Sequence, residues 1–285
     1  MTVFDAVAGA PVATPDGRPR SSRAAGFPLW LYLPAGLGVA LLALPLIALL
    51  ARLDWPGVPA AVSSSAALEA LGLSLTTASV ATVICVMLGV PLALVIARSS
   101  RGIAAVLRTL ATLPLVLPPL VGGIALLSLL GRNGLFGGAL EALDLRIPFT
   151  TAAVVIAQAF VALPFLVISV EGALRTSGTR FESVAASLGA NRFTVFRRIT
   201  LPLVGPGLLA GTVLCFARAL GEFGATALFA GNAAGTTRTM PLAIYTAFNG
   251  AGVREDTAIA LSLMLIMVAV AVLLVMRGWR ADSPR

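Results

Sequence analysis

The stretch ESVAASLGANRFTVFRRITLP, residues 182–202, is rich in polar and basic side chains, whereas the sequence on both sides of it is almost entirely apolar. Apolar residues just before and within its first part recur at the spacing of one face of a helix. These residues are Phe181, Val184, Ala185 and Leu188. The pattern predicts a short amphipathic helix placed between two apolar segments.

A second short helix is predicted directly after the first. Gly189 stands where a residue with left-handed backbone conformation commonly ends a helix. Asn191 is a suitable N-cap for the next helix, and Pro202 is expected to end it before an apolar segment begins. The apolar residues of this second helix are Phe193, Phe196 and Ile199. The whole segment is therefore predicted to be helix, turn, helix with an apolar face, which packs either on the inner rim of the protein itself or on a soluble partner.

The composition identifies an integral membrane protein. Apolar residues make up 58% of the 285 residues, charged residues make up 11%, and the mean hydropathy is +0.99. A helix needs roughly 20 apolar residues to cross a bilayer. Five runs of about this length are uncharged: 29–50, 70–97, 109–131, 149–170 and 257–276. A sixth, 203–230, is interrupted by Arg218 and Glu222, and six membrane helices are predicted.

The arginines predict the orientation of the chain. With the N-terminus inside, 14 arginines fall in inner segments, and five fall in outer ones: Arg52, Arg132, Arg146, Arg238 and Arg254. This bias places both termini in the cytoplasm and accounts for the net charge of +8 without a nucleic-acid partner. Residues 1–28 are expected to form a disordered cytoplasmic tail, residues 29–277 the membrane domain, and residues 278–285 a second short tail.

Missing residue types exclude several functions. The chain has no histidine, so histidine-based catalysis and histidine metal sites are excluded. All 20 basic residues are arginines, so no phosphate-binding loop with its lysine is present. Cys85 and Cys215 fall inside predicted spans and are interpreted as packed thiols. ATP chemistry, if the function needs it, must belong to another subunit.

The polar stretch resembles the E-A-A-x3-G-x9-I-x-L-P loop of permease subunits from bacterial ABC importers. In place of the Glu and the first Ala of that pattern, this sequence has Ser183 and Val184, with Glu182 one position early. The resemblance implies a type I importer permease fold, in which loop 173–202, between the fourth and fifth spans, carries a coupling helix that docks on the ATPase subunit. The residues it assigns to this contact are Glu182, Ala185, Ala186, Gly189, Ala190, Ile199, Leu201 and Pro202.

Further resemblance covers about residues 30–276 and narrows the substrate. The stretches FARALGEFGATALFAGN (216–232), TRTMPLAIY (237–245) and LPLVLPPLVGGIAL (113–126) are similar to the sulfate and molybdate branch of these permeases, and most similar to molybdate permeases. This implies a non-catalytic subunit with no cofactor of its own. The implied partners are an ATPase subunit that binds ATP and Mg, an extracytoplasmic binding protein, a second copy of the chain and membrane lipid.

A translocation pathway is predicted from the charges and helix breakers of the spans. Arg218 and Glu222 lie four residues apart, so they can pair on one helix, either to fix packing or to help pass a dianion. Glu222 is the only acidic residue expected deep in a span. Prolines and glycines should kink the third span, for packing or for a gate: Pro114, Pro118, Pro119, Gly122 and Gly123. Thr226, Pro118 and Pro119 complete the predicted pathway with the Arg218 and Glu222 pair.

Three classes of function remain at this point. An importer permease explains the polar loop, whereas a secondary carrier is disfavoured by the lack of paired carboxylates in the spans. A membrane enzyme or scaffold is disfavoured because no catalytic set of residues is present. Among importers, molybdate is favoured, and tungstate, sulfate and thiosulfate remain alternatives because tetrahedral dianions make similar demands on a site.

Overall fold

The computed structural model describes residues 29–250 and 255–281, and these ranges contain helices and no strand. A short 3-10 turn, Leu29–Leu31, precedes the first helix, and a π turn, Phe196–Thr200, precedes the tenth. The α-helices in chain order are α1 (Tyr32–Ala51), α2 (Val58–Val62), α3 (Ser65–Arg98), α4 (Arg101–Val116), α5 (Pro119–Leu130), α6 (Gly137–Ala142), α7 (Thr151–Ser177), α8 (Arg180–Ser187), α9 (Arg192–Val195), α10 (Leu201–Leu220), α11 (Gly224–Phe229), α12 (Met240–Asn249) and α13 (Glu255–Ala281).

The all-helical membrane class is confirmed, and the predicted spans have counterparts in the described ranges. Four helices are long and apolar enough to cross a membrane, and the bent pair α4 and α5 provides a fifth. The four are α1, α3, α7 and the helix Arg192–Leu220. The predicted span 257–276 falls on α13, whose shorter apolar stretch is Asp256–Val272. The predicted N-terminal tail, 1–28, lies outside the described residues, whereas α13 continues to Ala281, into the segment predicted as a second tail.

The chain divides into two units, and the first of them ends at Ala48. Its described part is the turn Leu29–Leu31 and most of α1. No residue of α1 is buried, and seven of its leucines are exposed: Leu33, Leu37, Leu41, Leu42, Leu44, Leu46 and Leu50. A helix that is apolar on all sides and has no polar face is suited to lipid.

The core of the second unit, which begins at Leu49, is built by α3, α7 and α10. Small residues allow these helices to approach closely, as is common in membrane proteins. A methyl group on Gly207 of α10 would lie 2.4 Å from the Cβ of Ala173 on α7. Ser169 Oγ also donates to the Gly207 carbonyl at 2.8 Å. Five alanines of the core are fully buried: Ala78, Ala81, Ala93, Ala162 and Ala219. Cys85 and Cys215 are buried free thiols in the same core, as predicted.

The third span is broken, as its prolines predicted. α4 ends at Val116 and α5 begins at Pro119, with an angle of 116° between them. α5 then packs on α11 through glycines, because a methyl group on Gly123 would lie 2.9 Å from the Ala225 carbonyl oxygen. A methyl group on Gly224 would similarly lie 2.5 Å from Pro119 Cβ. Two short helices from different spans are thereby held in contact.

The helix, turn, helix predicted for the polar stretch is confirmed in its first part. α8 ends at Ser187, Gly189 has a φ of +84°, and the Asn191 side chain accepts a hydrogen bond from Thr194 N at 2.8 Å. The expected end at Pro202 is wrong. The helix runs from Arg192 through Pro202 to Leu220, and the π turn over Phe196–Thr200 widens the hydrogen-bonding pattern just before the proline. Because proline lacks an N–H, it is tolerated where the pattern is interrupted in this way.

The fifth span is also broken near its other end. α10 ends at Leu220 and α11 begins at Gly224, so Glu222 lies in the break. The prediction that Arg218 and Glu222 share one helix is therefore wrong, although their side chains do pair. The i to i+4 spacing still brings them together because the chain makes only a short turn after Leu220.

Candidate functional site

The apolar face of α8 is exposed, and it is the first candidate site. Phe181 is 59% exposed, Val184 is 54% exposed and Leu188 is 84% exposed. Together with the start of α10 this face forms an open groove of about 490 Å³. Its lining residues are Phe181, Val184, Ala185, Leu188, Arg198, Ile199, Pro202 and Leu203. A groove of this kind can receive apolar side chains of another protein.

The residues predicted to couple the chain to an ATPase occupy different positions around α8. Ala185, Ile199 and Pro202 line the exposed groove. Gly189 forms the turn. A methyl group there would meet no atom within 4 Å, so the φ of +84° is what disfavours a residue with a side chain at this position. Three others line a second cavity of about 560 Å³ on another side of α8: Glu182, Ala186 and Ala190. Leu201 lines neither cavity and lies half-buried at the start of α10.

Glu182 is buried, although the rest of α8 is not. Arg98, at the end of α3, donates to both of its carboxylate oxygens. Thr200, in the π turn, donates to Oε1 at 2.6 Å. The Glu182 side chain is 10% exposed, and the Arg98 side chain is 45% exposed. Residues of three different elements therefore meet at one carboxylate.

A second buried carboxylate was missed by sequence reasoning. Glu171 of α7 is paired with Arg108 of α4, whose Nε lies 3.1 Å from both oxygens. Arg175, one turn further along α7, lies 3.7 Å from the same carboxylate. Glu171 is 4% exposed and lies on α7 one residue beyond the predicted span 149–170, where burial of a carboxylate was not expected. The i to i+4 spacing of Glu171 and Arg175 was the signal that could have revealed it.

The second candidate site is the break between α10 and α11. Arg218 lies 2.7 Å from Glu222 Oε2, and the Glu222 side chain is 1% exposed. Glu222 Oε1 also accepts a hydrogen bond from Ala225 N at 2.8 Å, so one carboxylate neutralises Arg218 and satisfies an N–H of the first turn of α11. Arg218, whose side chain is 28% exposed, is the more exposed member of the pair.

The remaining predicted pathway residues lie around the contact between α5 and α11. Pro118 and Pro119 are exposed at the bend, and Pro119 faces Gly224. Thr226 is fully buried, and its hydroxyl has no hydrogen-bond partner among the described residues. The structure thus groups Pro119, Glu222 and Thr226 near one break, but it leaves Thr226 enclosed rather than facing an open path.

This fold, with its broken spans and an exposed short helix on the polar loop, matches a known class of membrane proteins. Residues 89–281 match the family of binding-protein-dependent transport system inner membrane components. The chain belongs to this family of transport permeases. It is 55% identical over 247 residues to the molybdenum transport system permease protein ModB of Mycobacterium tuberculosis, which covers 87% of this chain and 92% of the relative.

Two other comparisons agree with this assignment. The molybdenum transport system permease protein ModB of Escherichia coli is 39% identical over 219 residues, which are 76% of this chain and 94% of that protein. Among solved structures, a bacterial ABC transporter that imports the acidic polysaccharide alginate is similar with a TM-score of 0.70 at 19% identity, over 90% of this chain and 96% of that one. The likeness to that structure supports the fold alone.

Proposed function

We propose that this chain is the membrane-spanning permease subunit of an ATP-driven importer of molybdate. The observation that carries the proposal is the 55% identity to a molybdenum permease over 87% of the chain. The exposed groove beside α8 supplies the surface that such a subunit needs for a soluble partner. ATP is bound and hydrolysed by that partner, and this chain contributes no catalytic group.

The assembly consists of two copies of this chain, two ATPase subunits and a binding protein that delivers the anion from outside. Each ATPase subunit docks on the groove that includes Phe181, Val184 and Leu188. Closure of the ATPase pair on ATP draws the two α8 helices together and changes the pathway from inward-facing to outward-facing. Support for the position of the groove comes from the bias of arginines towards the segments on that side of the membrane.

Arg218 has a share in passing the dianion along the pathway. It is the partly exposed member of a charge pair, and Glu222 holds its guanidinium in place while reducing its net charge. A neutralised arginine binds an anion weakly enough to release it, which a transport pathway requires. Pro118, Pro119 and Thr226, around the contact between α5 and α11, are proposed to belong to the same pathway.

The test is uptake by the reconstituted complex in vesicles. Molybdate uptake should require internal ATP, the ATPase subunit and the binding protein, because the permease has no energy source of its own. Tungstate should compete strongly, and sulfate in excess should compete little. Uptake without ATP would replace the proposal by a secondary carrier, and equal competition by sulfate would assign the chain to a sulfate permease.

A further inference from the structure

Glu182 is the only buried residue of α8, a helix that the structure describes in full. The usual arrangement of an amphipathic helix is therefore reversed: the apolar residues Phe181, Val184 and Leu188 are exposed, and the one buried side chain is a carboxylate. Apolar packing thus provides little attachment of α8 to the rest of the protein. The attachment is polar, and it is concentrated at one residue.

The partners of Glu182 belong to the helices that build the membrane core. Arg98 is the last residue of α3, and Thr200 is the last residue of the π turn that leads into α10. Both bind the same carboxylate, Arg98 through its guanidinium and Thr200 through a hydroxyl at 2.6 Å. Both α3 and α10 pack on α7 in the core. A displacement of α8 therefore acts directly on the ends of two membrane helices.

The side of α8 that carries Glu182 is not the side that carries the exposed groove. Glu182 and Ala186 line the cavity next to Arg98, whereas Val184, Ala185 and Leu188 line the groove. One side of the helix is thus available for a partner while the other is bonded to α3 and to the π turn. A π turn interrupts the regular hydrogen-bond pattern of a helix, and helices commonly kink at such turns.

We propose that Arg98, Glu182 and Thr200, here called the Glu182 network, transmit the movement of α8 to α3 and α10 during transport. The proposal rests on the proposed function, since it assumes that an ATPase subunit moves α8. In it Glu182 is a positioning residue that does not touch the ATPase subunit, and Arg98 and Thr200 complete its function. Loss of the network uncouples ATP hydrolysis from anion movement and leaves the groove intact.

The experiment measures three quantities on the reconstituted complex with molybdate as substrate: ATPase subunit bound, ATP hydrolysed and molybdate transported. In Glu182→Gln and in Arg98→Gln, the ATPase subunit should bind as in the wild type. The amount of molybdate transported per ATP should fall about tenfold or more, because each change removes the ion pair that joins α8 to the end of α3. A folding defect alone would reduce the amount of complex and leave this ratio unchanged.

Two further variants make the result specific to the network. The exchange of Arg98→Glu with Glu182→Arg should restore much of the ratio, because it restores an ion pair between α3 and α8. Arg101→Gln is the matched control, since Arg101 is an exposed arginine at the start of α4 without a hydrogen bond or ion pair among the described residues. It should keep the wild-type ratio.

Thr200→Val decides the question if the charge variants do not assemble. It removes one hydroxyl, keeps the shape of the side chain and leaves the ion pair balanced, so the complex should form, and the ratio should fall about threefold or more. A wild-type ratio in Thr200→Val and in every charge variant that assembles would overturn the proposal. A wild-type complex that shows no ATP-dependent uptake would instead overturn the proposed function, and this inference with it.

Discussion

Glu222 illustrates how one buried carboxylate can serve two partners at once. Its Oε2 is paired with Arg218 at 2.7 Å, and its Oε1 accepts from Ala225 N at 2.8 Å. Either interaction alone would explain a buried acidic residue. Because both are present, a change at Glu222 affects the charge balance of the site and the start of α11 together.

Replacement of Glu222 by Gln should impair assembly of the permease. Gln keeps an acceptor for Ala225 N but leaves Arg218 uncompensated, and breaking a buried pair typically costs about 3 to 5 kcal/mol. The double change Arg218→Met with Glu222→Met removes both charges and should recover folded protein. It still leaves Ala225 N without its partner, which limits the recovery. The yield of monodisperse protein after solubilisation measures both effects.

Assays of the recovered double variant distinguish a function of Arg218 and Glu222 in transport from a contribution to folding. Folded complex that hydrolyses ATP but no longer transports molybdate is the expected result, because the guanidinium is needed in the pathway. Glu141→Gln is the control, since Glu141 and Arg132 form an exposed pair 3.5 Å apart and exposed pairs contribute little. Normal transport by the double Met variant would show that the pair only fixes packing.

At the scale of elements, the turn after α8 should control docking. Gly189 has a φ of +84° and an unobstructed position for a side chain, so any effect of substitution comes from the backbone. A Cβ at this φ costs on the order of 1 kcal/mol or more, and β-branching increases the cost. In Gly189→Val the membrane helices should form normally, while the ATPase subunit binds weakly or hydrolyses ATP without transport.

Asn provides the matched control for this position, because it tolerates the left-handed conformation better than other residues with a side chain. Gly189→Asn should therefore keep ATPase binding and transport near wild-type values. Ala185→Glu, which places a charge in the groove, should resemble Gly189→Val. If both Gly189→Val and Ala185→Glu behaved as wild type in ATPase co-purification, ATP turnover and molybdate uptake, this loop would not be the coupling element.

Local signals explain which elements could be predicted from the sequence. The turn at Gly189 after α8 and the cap at Asn191 depend on neighbouring residues only, and both are confirmed. The continuation of the helix through Pro202 depends on a π turn, for which the sequence carries no comparable signal. The pairings of Glu182 with Arg98 and of Glu171 with Arg108 join residues 84 and 63 positions apart, so spacing along the chain could not reveal these partners.

At the scale of the whole molecule, apolar packing and ion pairs join different parts of the helices. The core of α3, α7 and α10 combines alanines and glycines in close contact with larger apolar side chains. The ion pairs of Arg98 with Glu182 and of Arg108 with Glu171 each join two helices that are separate in the chain. Both pairs lie on the side predicted to be cytoplasmic, where a partner that hydrolyses ATP would act.

The proposed function requires α8 and these ion pairs to lie on the cytoplasmic side of the membrane. Single cysteines can test this orientation. The background lacks Cys85 and Cys215, and the three added cysteines replace exposed residues: Asn133, Ala234 and Ser187. Ala234 is preferred to its neighbour Asn232, whose side chain is bonded to Thr246 and Arg238. In sealed right-side-out vesicles, an impermeant thiol reagent should label positions 133 and 234.

The cysteine at position 187 should react only after the vesicles are permeabilised, because the arginine bias places α8 inside. Labelling after permeabilisation serves as the control that each thiol is reactive, and the permease is tested without the ATPase subunit so that nothing covers α8. Labelling of position 187 in sealed vesicles, with positions 133 and 234 protected, would invert the predicted topology. The groove would then face away from the ATP of the cell, and no ATPase subunit could move it.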